Sequence, residues 1–191
     1  MKQQKNWKKR NRWKKVLLLA LVVLSLIYGA KQVILNLYPE QHRALVVRYS
    51  RKYGLDASFV FAMIKAESNF SHDAVSGKNA TGLMQIMVPT GEWIAEQLGE
   101  PFSKESLSDP ETNIRMGCFY ISYLLDMYDG NKTCALAAYN AGHANVDNWL
   151  SQEKYSKDGK TLVLIPYPET ANYVNRVKNN EKLYNRLYGV D

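Results

Sequence analysis

Residues 16–30 carry no charge, and the fifteen residues before them carry eight lysines or arginines and no acid. That juxtaposition divides the chain before any folding argument begins. The run reads Val-Leu-Leu-Leu-Ala-Leu-Val-Val-Leu-Ser-Leu-Ile-Tyr-Gly-Ala, and apolar character resumes at Val33-Ile34-Leu35 after Lys31-Gln32. Fifteen residues fall short of the ~20 that cross a hydrocarbon core. Lys31 can snorkel to a headgroup, however, and Val33–Tyr38 extends the span. A basic flank before an apolar run predicts residues 1–15 as a cytoplasmic tail, 16–37 as a transmembrane signal-anchor, and 39–191 as one exported domain. Trp7 and Trp13 are expected at the headgroup level. A cleaved leader is the competing expectation. It fits less well, because Tyr28 stands two residues before Ala30, where a small residue is wanted.

The overall charge of +7 belongs to the tail. Of 25 basic residues eight lie in it, so 17 remain against 18 acidic ones in the rest of the chain. A basic stretch with interleaved tryptophans also suits nucleic-acid phosphates. Membrane topology already accounts for this charge, so no nucleic-acid partner is expected. Cys118 and Cys134 lie in the exported part, where a disulfide is chemically permitted. They flank an expected helical hairpin turning at Tyr128–Lys132. With ~1.5 Å of rise per residue, Cys118 falls roughly 15 Å from the turn while Cys134 lies beside it. Free buried thiols are therefore expected. His42, His72, His143 and these cysteines show no metal-ligand spacing.

The exported part reads as mainly α. Pro39 opens a helix over Glu40–Tyr53, stopped by Gly54, and Asp56 caps the next helix. Ser71–Met87 reads as a structured loop, and Thr90 caps a short helix ending near Gly99. Asp109-Pro110 pairs an N-cap with a first-turn proline and opens a helix through Asn113–Tyr128. Thr133–Asn140 and Ala144–Leu150 follow. Ser151–Pro168 is polar, with a β-like stretch at Thr161–Ile165. A last helix after Pro168 carries Tyr173, Val177, Tyr184 and Leu187 near one side.

Within the Asp56–Ser68 helix, Val60, Met63, Ile64 and Glu67 follow the spacing of one buried stripe. A carboxylate on such a stripe is disfavoured in its charged form, so its pKa rises, as a proton donor working near neutrality requires. A glutamate pairing with a cation at a helix end satisfies the same spacing.

Four segments then stand in order: Ile64-Lys65-Ala66-Glu67-Ser68-Asn69-Phe70, Gly82-Leu83-Met84-Gln85-Ile86-Met87, Ala137-Ala138-Tyr139-Asn140-Ala141-Gly142, and Glu169-Thr170-Ala171-Asn172-Tyr173-Val174. Together they resemble the soluble-lytic-transglycosylase type domain, the lysozyme-like fold of peptidoglycan-cleaving enzymes. The resemblance runs from about Pro39 to Tyr188. It implies a mainly α, lysozyme-like domain, here preceded by the one transmembrane helix read from residues 16–37.

The resemblance further implies that Glu67 is the general acid for the bond between N-acetylmuramic acid and N-acetylglucosamine. The same carboxylate then takes the proton of the muramoyl 6-hydroxyl, giving a 1,6-anhydromuramoyl end without consuming water. One carboxylate suffices when the nucleophile is intramolecular, whereas most glycosidases need two. No second acid stands in a matching motif.

Five other residues carry over as substrate contacts. Ser76 matches the family's loop serine, although a turn serine beside Gly77 reads the same. Gln85 matches a glutamine whose amide donates to and accepts from N-acetyl sugars. Tyr139 is placed to orient the carboxyl or an acetamido group. Asn140 bonds backbone or sugar, or simply caps its helix before Gly142. Tyr173 reaches back to the cleft or packs on an apolar stripe. Met84 is expected as wall or core.

One departure is Asn79-Ala80-Thr81, where the family usually has Gly-Ala before the residue preceding Gly-Leu-Met-Gln. Asparagine tolerates left-handed backbone, so the loop can keep its path. The implied partners are peptidoglycan strands and the cytoplasmic membrane, and no cofactor is implied. A goose-type hydrolase and a non-catalytic wall-binding module remain as alternatives.

Overall fold

The structure is a computed structural model that describes residues 2–189, with side chains from residue 14 onward. The expectation for Trp7 and Trp13 therefore concerns side chains outside the described residues, as do the chain ends at 1 and 190–191. The chain forms two compact units, Met1–Pro39 and Glu40–Asp191.

The first unit is one helix, α1 (Lys2–Leu37). It runs through Lys31 without a break, so its apolar part, Lys14–Leu37, is 24 residues long. At ~1.5 Å per residue that is about 36 Å, enough for a bilayer core of ~30 Å. By length and composition this helix can cross a membrane.

The second unit is built from helices among the described residues: α2 (Arg43–Lys52), α3 (Ala57–Glu67), α4 (Val88–Leu98), a 3-10 turn (Lys104–Ser108), α5 (Pro110–Met127), α6 (Lys132–Ala141), α7 (His143–Leu150) and α8 (Pro168–Tyr188). Local chemistry sets several of these boundaries. Asp109 accepts the amide of Thr112 at 2.8 Å, and Pro110 follows in the first turn. Asn131 starts α6 by accepting the amides of Thr133 and Cys134 at 3.0 and 3.2 Å. Gly99 ends α4 in the left-handed region, at φ 66°.

Other boundaries differ from expectation. α2 begins three residues later than Glu40, because His42 takes a left-handed turn at φ 57°. α4 begins at Val88 with Pro89 in its first turn, so Thr90 lies inside the helix rather than capping it. Asp56 occupies the N-cap position of α3 without a side-chain cap. Its carboxylate instead lies 3.4 Å from Lys132 Nζ. Thr161–Ile165 forms no strand; a single bridge between Ser156 and Leu162 is all that pairs there. The backbone turns sharply instead, because Asp158 Oδ1 accepts the amides of Lys160 and Thr161 at 2.9 and 2.7 Å.

The core is organised around α3. A single buried stripe was expected, but every residue from Ala57 to Ile64 is buried. A helix apolar on all sides belongs inside a bundle. α8 packs along it, with Phe61 stacked on Tyr184 at 5.4 Å and Asn180 Nδ2 donating to Ala62 O at 3.4 Å. Tyr173, Val177 and Tyr184 face inward from α8, while Leu187 is half-buried. Burying side chains of this size contributes about 1.5–3 kcal/mol each. Cys118 and Cys134 are free and buried.

Candidate active site

Glu67 is the last residue of α3, the most buried helix, so its carboxyl emerges from the core at the point where the chain turns away. The turn uses two consecutive left-handed residues, Asn69 (φ 51°) and Phe70 (φ 67°). Such backbone is unfavourable for a bulky residue. Burial of the Phe70 ring at 5 % exposure, 6.3 Å from Phe61, offsets that cost. Ser68 then donates to the carbonyl of Leu83 at 2.8 Å and fixes the end of α3 to the Gly82–Gln85 turn.

That turn is held from beneath by Asn113 of α5, which is fully buried. Its Oδ1 accepts the amide of Met84 at 2.7 Å, and its Nδ2 donates to the carbonyls of Thr81 and Leu107, both at 2.8 Å. A Cβ on Gly82 would lie 2.3 Å from Asn113 Nδ2, and φ there is +81°. Glycine is required at that position by both contact and conformation. Met84 is buried as expected and seats its sulfur against Gly117. Asn79 adopts φ 61°, the left-handed backbone that its departure from Gly-Ala called for.

Glu67, Ser76, Gln85, Tyr139 and Asn140 line one cavity of about 360 Å³, together with Lys78, Met87 and Glu169. Tyr173 lies behind it, 1 % exposed. The details refine several expectations. Both amide hydrogens of Gln85 are committed to the carbonyls of Ala74 and Gly82, at 3.1 and 2.9 Å. Only its Oε1 is left for a ligand, so Gln85 accepts and does not donate. The Ser76 hydroxyl accepts the amides of Lys78 and Ala80 at 3.2 and 3.1 Å, so the residue makes the turn and also faces the cavity, with its proton available. Asn140 Oδ1 accepts from Thr170 at 2.8 Å, which leaves Nδ2 as a donor. Tyr139 donates to the carbonyl of Met84 at 2.8 Å rather than to the carboxyl. With its proton committed, this phenol offers Glu67 only lone pairs, which suit a protonated carboxyl better than a charged one.

Burial raises the pKa of Glu67 from 4.5 to about 7, partly opposed by the Tyr173 hydroxyl and then by the Arg176 charge. The Tyr173 hydroxyl is buried and makes no hydrogen bond of good distance and angle. It nevertheless stands close enough to the carboxyl to favour its charged form. Burial and the Glu67 charge push both Tyr139 and Tyr173 well above the usual phenol range, so both remain neutral.

Sequence reasoning missed two residues here. Glu169 opens the fourth motif, where no second acid was expected, and from the first turn of α8 it lines the same cavity as Glu67. Asn113 reads as a polar residue inside a helix, with no local sign of its bonds to Met84 and Thr81, 29 and 32 residues away. Among the described residues, no three His, Cys, Asp or Glu side chains gather in a way that can hold a metal ion.

Comparison with known proteins gives a consistent picture. The soluble lytic murein transglycosylase of Salmonella typhimurium is 32 % identical over 155 residues, covering 80 % of this chain and 24 % of that protein. Membrane-bound lytic murein transglycosylase C of Edwardsiella ictaluri is 31 % identical, covering 75 % of this chain and 46 % of that one. The chain thus spans from about a quarter to under half of these relatives. Among solved structures, an inactive glutamate-to-glutamine mutant of the lytic transglycosylase Slt from Pseudomonas aeruginosa is similar at a TM-score of 0.71 and 35 % identity, over 81 % of this chain and 26 % of that one. The 70 kDa soluble lytic transglycosylase of Escherichia coli gives 0.73 and 28 %, over 82 % and 26 %. The family model for the transglycosylase SLT domain matches residues 44–162, more than half of the chain, and to that family this chain belongs.

Proposed function

We propose that this chain is a membrane-anchored murein lytic transglycosylase. It cleaves the β-1,4 bond between N-acetylmuramic acid and N-acetylglucosamine and leaves 1,6-anhydromuramoyl ends. The observation that carries the reading is Glu67, a carboxyl raised to about 7 on the wall of an open cavity. At that value it is substantially protonated near neutral pH and can act in both directions.

The Glu67 proton passes to the glycosidic oxygen as the bond from that oxygen to the muramoyl anomeric carbon breaks. The carboxylate so formed is favoured by Tyr173 and Arg176, the two groups that draw its pKa down. It then takes the proton of the muramoyl 6-hydroxyl while that oxygen closes on the anomeric carbon. The proton returns to Glu67 and no water is consumed. Ser76 and Asn140 offer donors and Gln85 offers an acceptor, a set complementary to the carbonyl and N–H of an acetamido group. Similarity to the inactive Pseudomonas mutant, in which a glutamate is replaced by glutamine, supports a central glutamate.

Hydrolysis is the second reading, favoured by one observation: Glu169, on the same cavity, is a carboxylate able to hold a water. Mass spectrometry of fragments from purified peptidoglycan separates the two. Anhydro ends support transglycosylation, and ends heavier by one water support hydrolysis. Glycan binding with no fragments leaves a wall-binding module.

Residues 16–37 are proposed as the single membrane span, with residues 1–15 in the cytoplasm and the catalytic domain outside. Protease added to intact spheroplasts should degrade the domain and spare the tail.

A further inference from the structure

The first helix of the second unit, α2, sorts its residues by chemistry. Val46, Tyr49 and Ser50 are buried, and the exposed residues are Arg43, Ala44, Arg48, Arg51 and Lys52. At about 100° of turn per residue, these exposed positions fall within one half of the helix circumference. The outward face therefore holds four cations and no acid. Beyond the basic tail the chain is close to neutral, so this concentration of charge is local. Two of the cations have acid neighbours: Arg43 pairs with Glu40, and Arg48 lies 3.1 Å from Glu111. Among the described residues Arg51 makes no ion pair, and Lys52 lies over the Tyr53 ring at 5.3 Å with no acid partner.

Position along the chain supplies the occupant. Only residues 38–42 separate the end of α1 at Leu37 from Arg43, a reach of roughly 20 Å at full extension. A helix long and apolar enough to cross a membrane thus precedes this face by one short link. Such a link holds the face near the bilayer surface at an effective concentration on the order of millimolar, so individually weak contacts are enough. Surfaces that carry anionic phospholipid attract juxtamembrane lysine and arginine. Guanidinium groups add paired donors that match phosphate oxygens. A protein partner generally needs an apolar centre to its interface, and Ala44 is the one apolar residue exposed on α2.

We infer that the basic face of α2 docks on the anionic phospholipid headgroups of the bilayer that α1 crosses. The inference rests on the membrane-anchored reading and adds an orientation to it. α2 packs on α5 through the Tyr49 hydroxyl, which donates to Glu111 at 2.7 Å, and α5 holds the Gln85 turn through Asn113. α2 also packs on α3, whose last residue is Glu67. A surface that fixes α2 therefore fixes the direction in which the Glu67 cleft opens.

The test uses the full chain in lipid nanodiscs of phosphatidylcholine, with or without phosphatidylglycerol, doped with a phosphatidylcholine that carries a nitroxide quencher on its headgroup. A fluorophore is attached at Ala44→Cys, in the middle of the face, or at Lys104→Cys on the 3-10 turn. Cys118 and Cys134 are buried and stay unlabelled. In discs with phosphatidylglycerol the label on α2 should be quenched and the label on the turn should not. Arg51→Gln combined with Lys52→Gln should lower the ratio of docked to undocked chain about 25-fold, at about fivefold per cation, with the melting temperature unchanged. Salt at about 0.5 M should also release the face. Equal quenching at both positions, quenching that persists without phosphatidylglycerol, or quenching unmoved by the double variant overturns the inference. Tight binding of soluble polyphosphate with no quenching in the discs overturns it in favour of a polyanion of the wall. Extraction with alkaline carbonate separates the two readings. A chain that stays in the bilayer with an unquenched label loses the docking alone, and a chain stripped from the bilayer loses the anchor and the docking together.

Discussion

The side-chain oxygen of Asn113 accepts the backbone amide of Met84 at 2.7 Å, in a fully buried setting. Through this bond α5 sets the height of the turn carrying Gln85. The Met84 carbonyl on that turn receives the hydroxyl of Tyr139, which lines the same cavity as Glu67. The position of the candidate acid's neighbours is thus decided by an amide far from the cavity surface. Asn113→Ala would leave the Met84 amide and the Leu107 carbonyl buried without partners, while the Thr81 carbonyl keeps the Ile86 amide at 3.0 Å. A cost of about 3–5 kcal/mol follows. Thermal denaturation should show a fall of about 10 °C, with activity lost in parallel.

Gly117→Ala tests the same support from the other side. In a helix interior, alanine is favoured over glycine by about 0.5–1 kcal/mol. Here the added Cβ would sit 2.3 Å from the Met84 sulfur. Overpacking of this kind costs about 1–3 kcal/mol, so the contact outweighs the propensity. Urea denaturation should give net destabilisation; a stabilised variant would show that Met84 moves freely.

Glu67→Gln keeps the shape of the side chain and removes its proton. Cleavage of purified peptidoglycan should fall by about 10²–10⁴-fold while glycan binding persists. In the wild type, activity should decline as pH rises above about 7, following loss of the acid form. Full turnover by the Gln variant would remove Glu67 from the mechanism.

Tyr173→Phe separates positioning from packing. The hydroxyl lowers the Glu67 pKa without a well-formed hydrogen bond of its own. Its removal should move the high-pH limb of the activity profile upward and leave the melting temperature unchanged or higher, since an unsatisfied buried hydroxyl is lost. An unmoved limb would mean that the ring serves packing alone.

Stability should also depend on pH through Glu67. Its folded pKa of about 7 lies above the ordinary 4.5, so the folded state binds the proton more tightly than the unfolded chain. Its contribution is fully present below pH 4.5 and is lost as pH rises through about 7. The full difference is about 3 kcal/mol. Denaturation of wild type and Glu67→Gln at pH 4 and pH 8 should therefore show the variant gaining in relative stability at the higher pH, and parallel curves would contradict the raised pKa.

Helix content and most helix positions were legible because their determinants are local. Asp109-Pro110 and Gly99 act within a turn of where they stand, and the uncharged run at 16–30 declares itself. Boundaries failed where local signals competed. His42 overrode Pro39 by adopting a left-handed turn, and Pro89 overrode Thr90. The β-like residues at 161–165 had no neighbouring strand to pair with, so β propensity there produced a single bridge.

The candidate site divides in the same way. The family resemblance supplied Glu67, Gln85, Tyr139, Asn140 and Tyr173 from four motifs, and Ser76 from the loop between the first two. Which hydrogen bonds those residues make was not contained in the motifs. Asn113 lies 29 residues from Met84 and 32 from Thr81 in the chain, and Tyr139 lies 55 from Met84. Such partners meet only when α3, α5, α6 and α8 close on one another. The raised carboxyl, the committed amide of Gln85 and the presence of Glu169 on the cavity depend on that closure, since desolvation and pairing are properties of the packed interior.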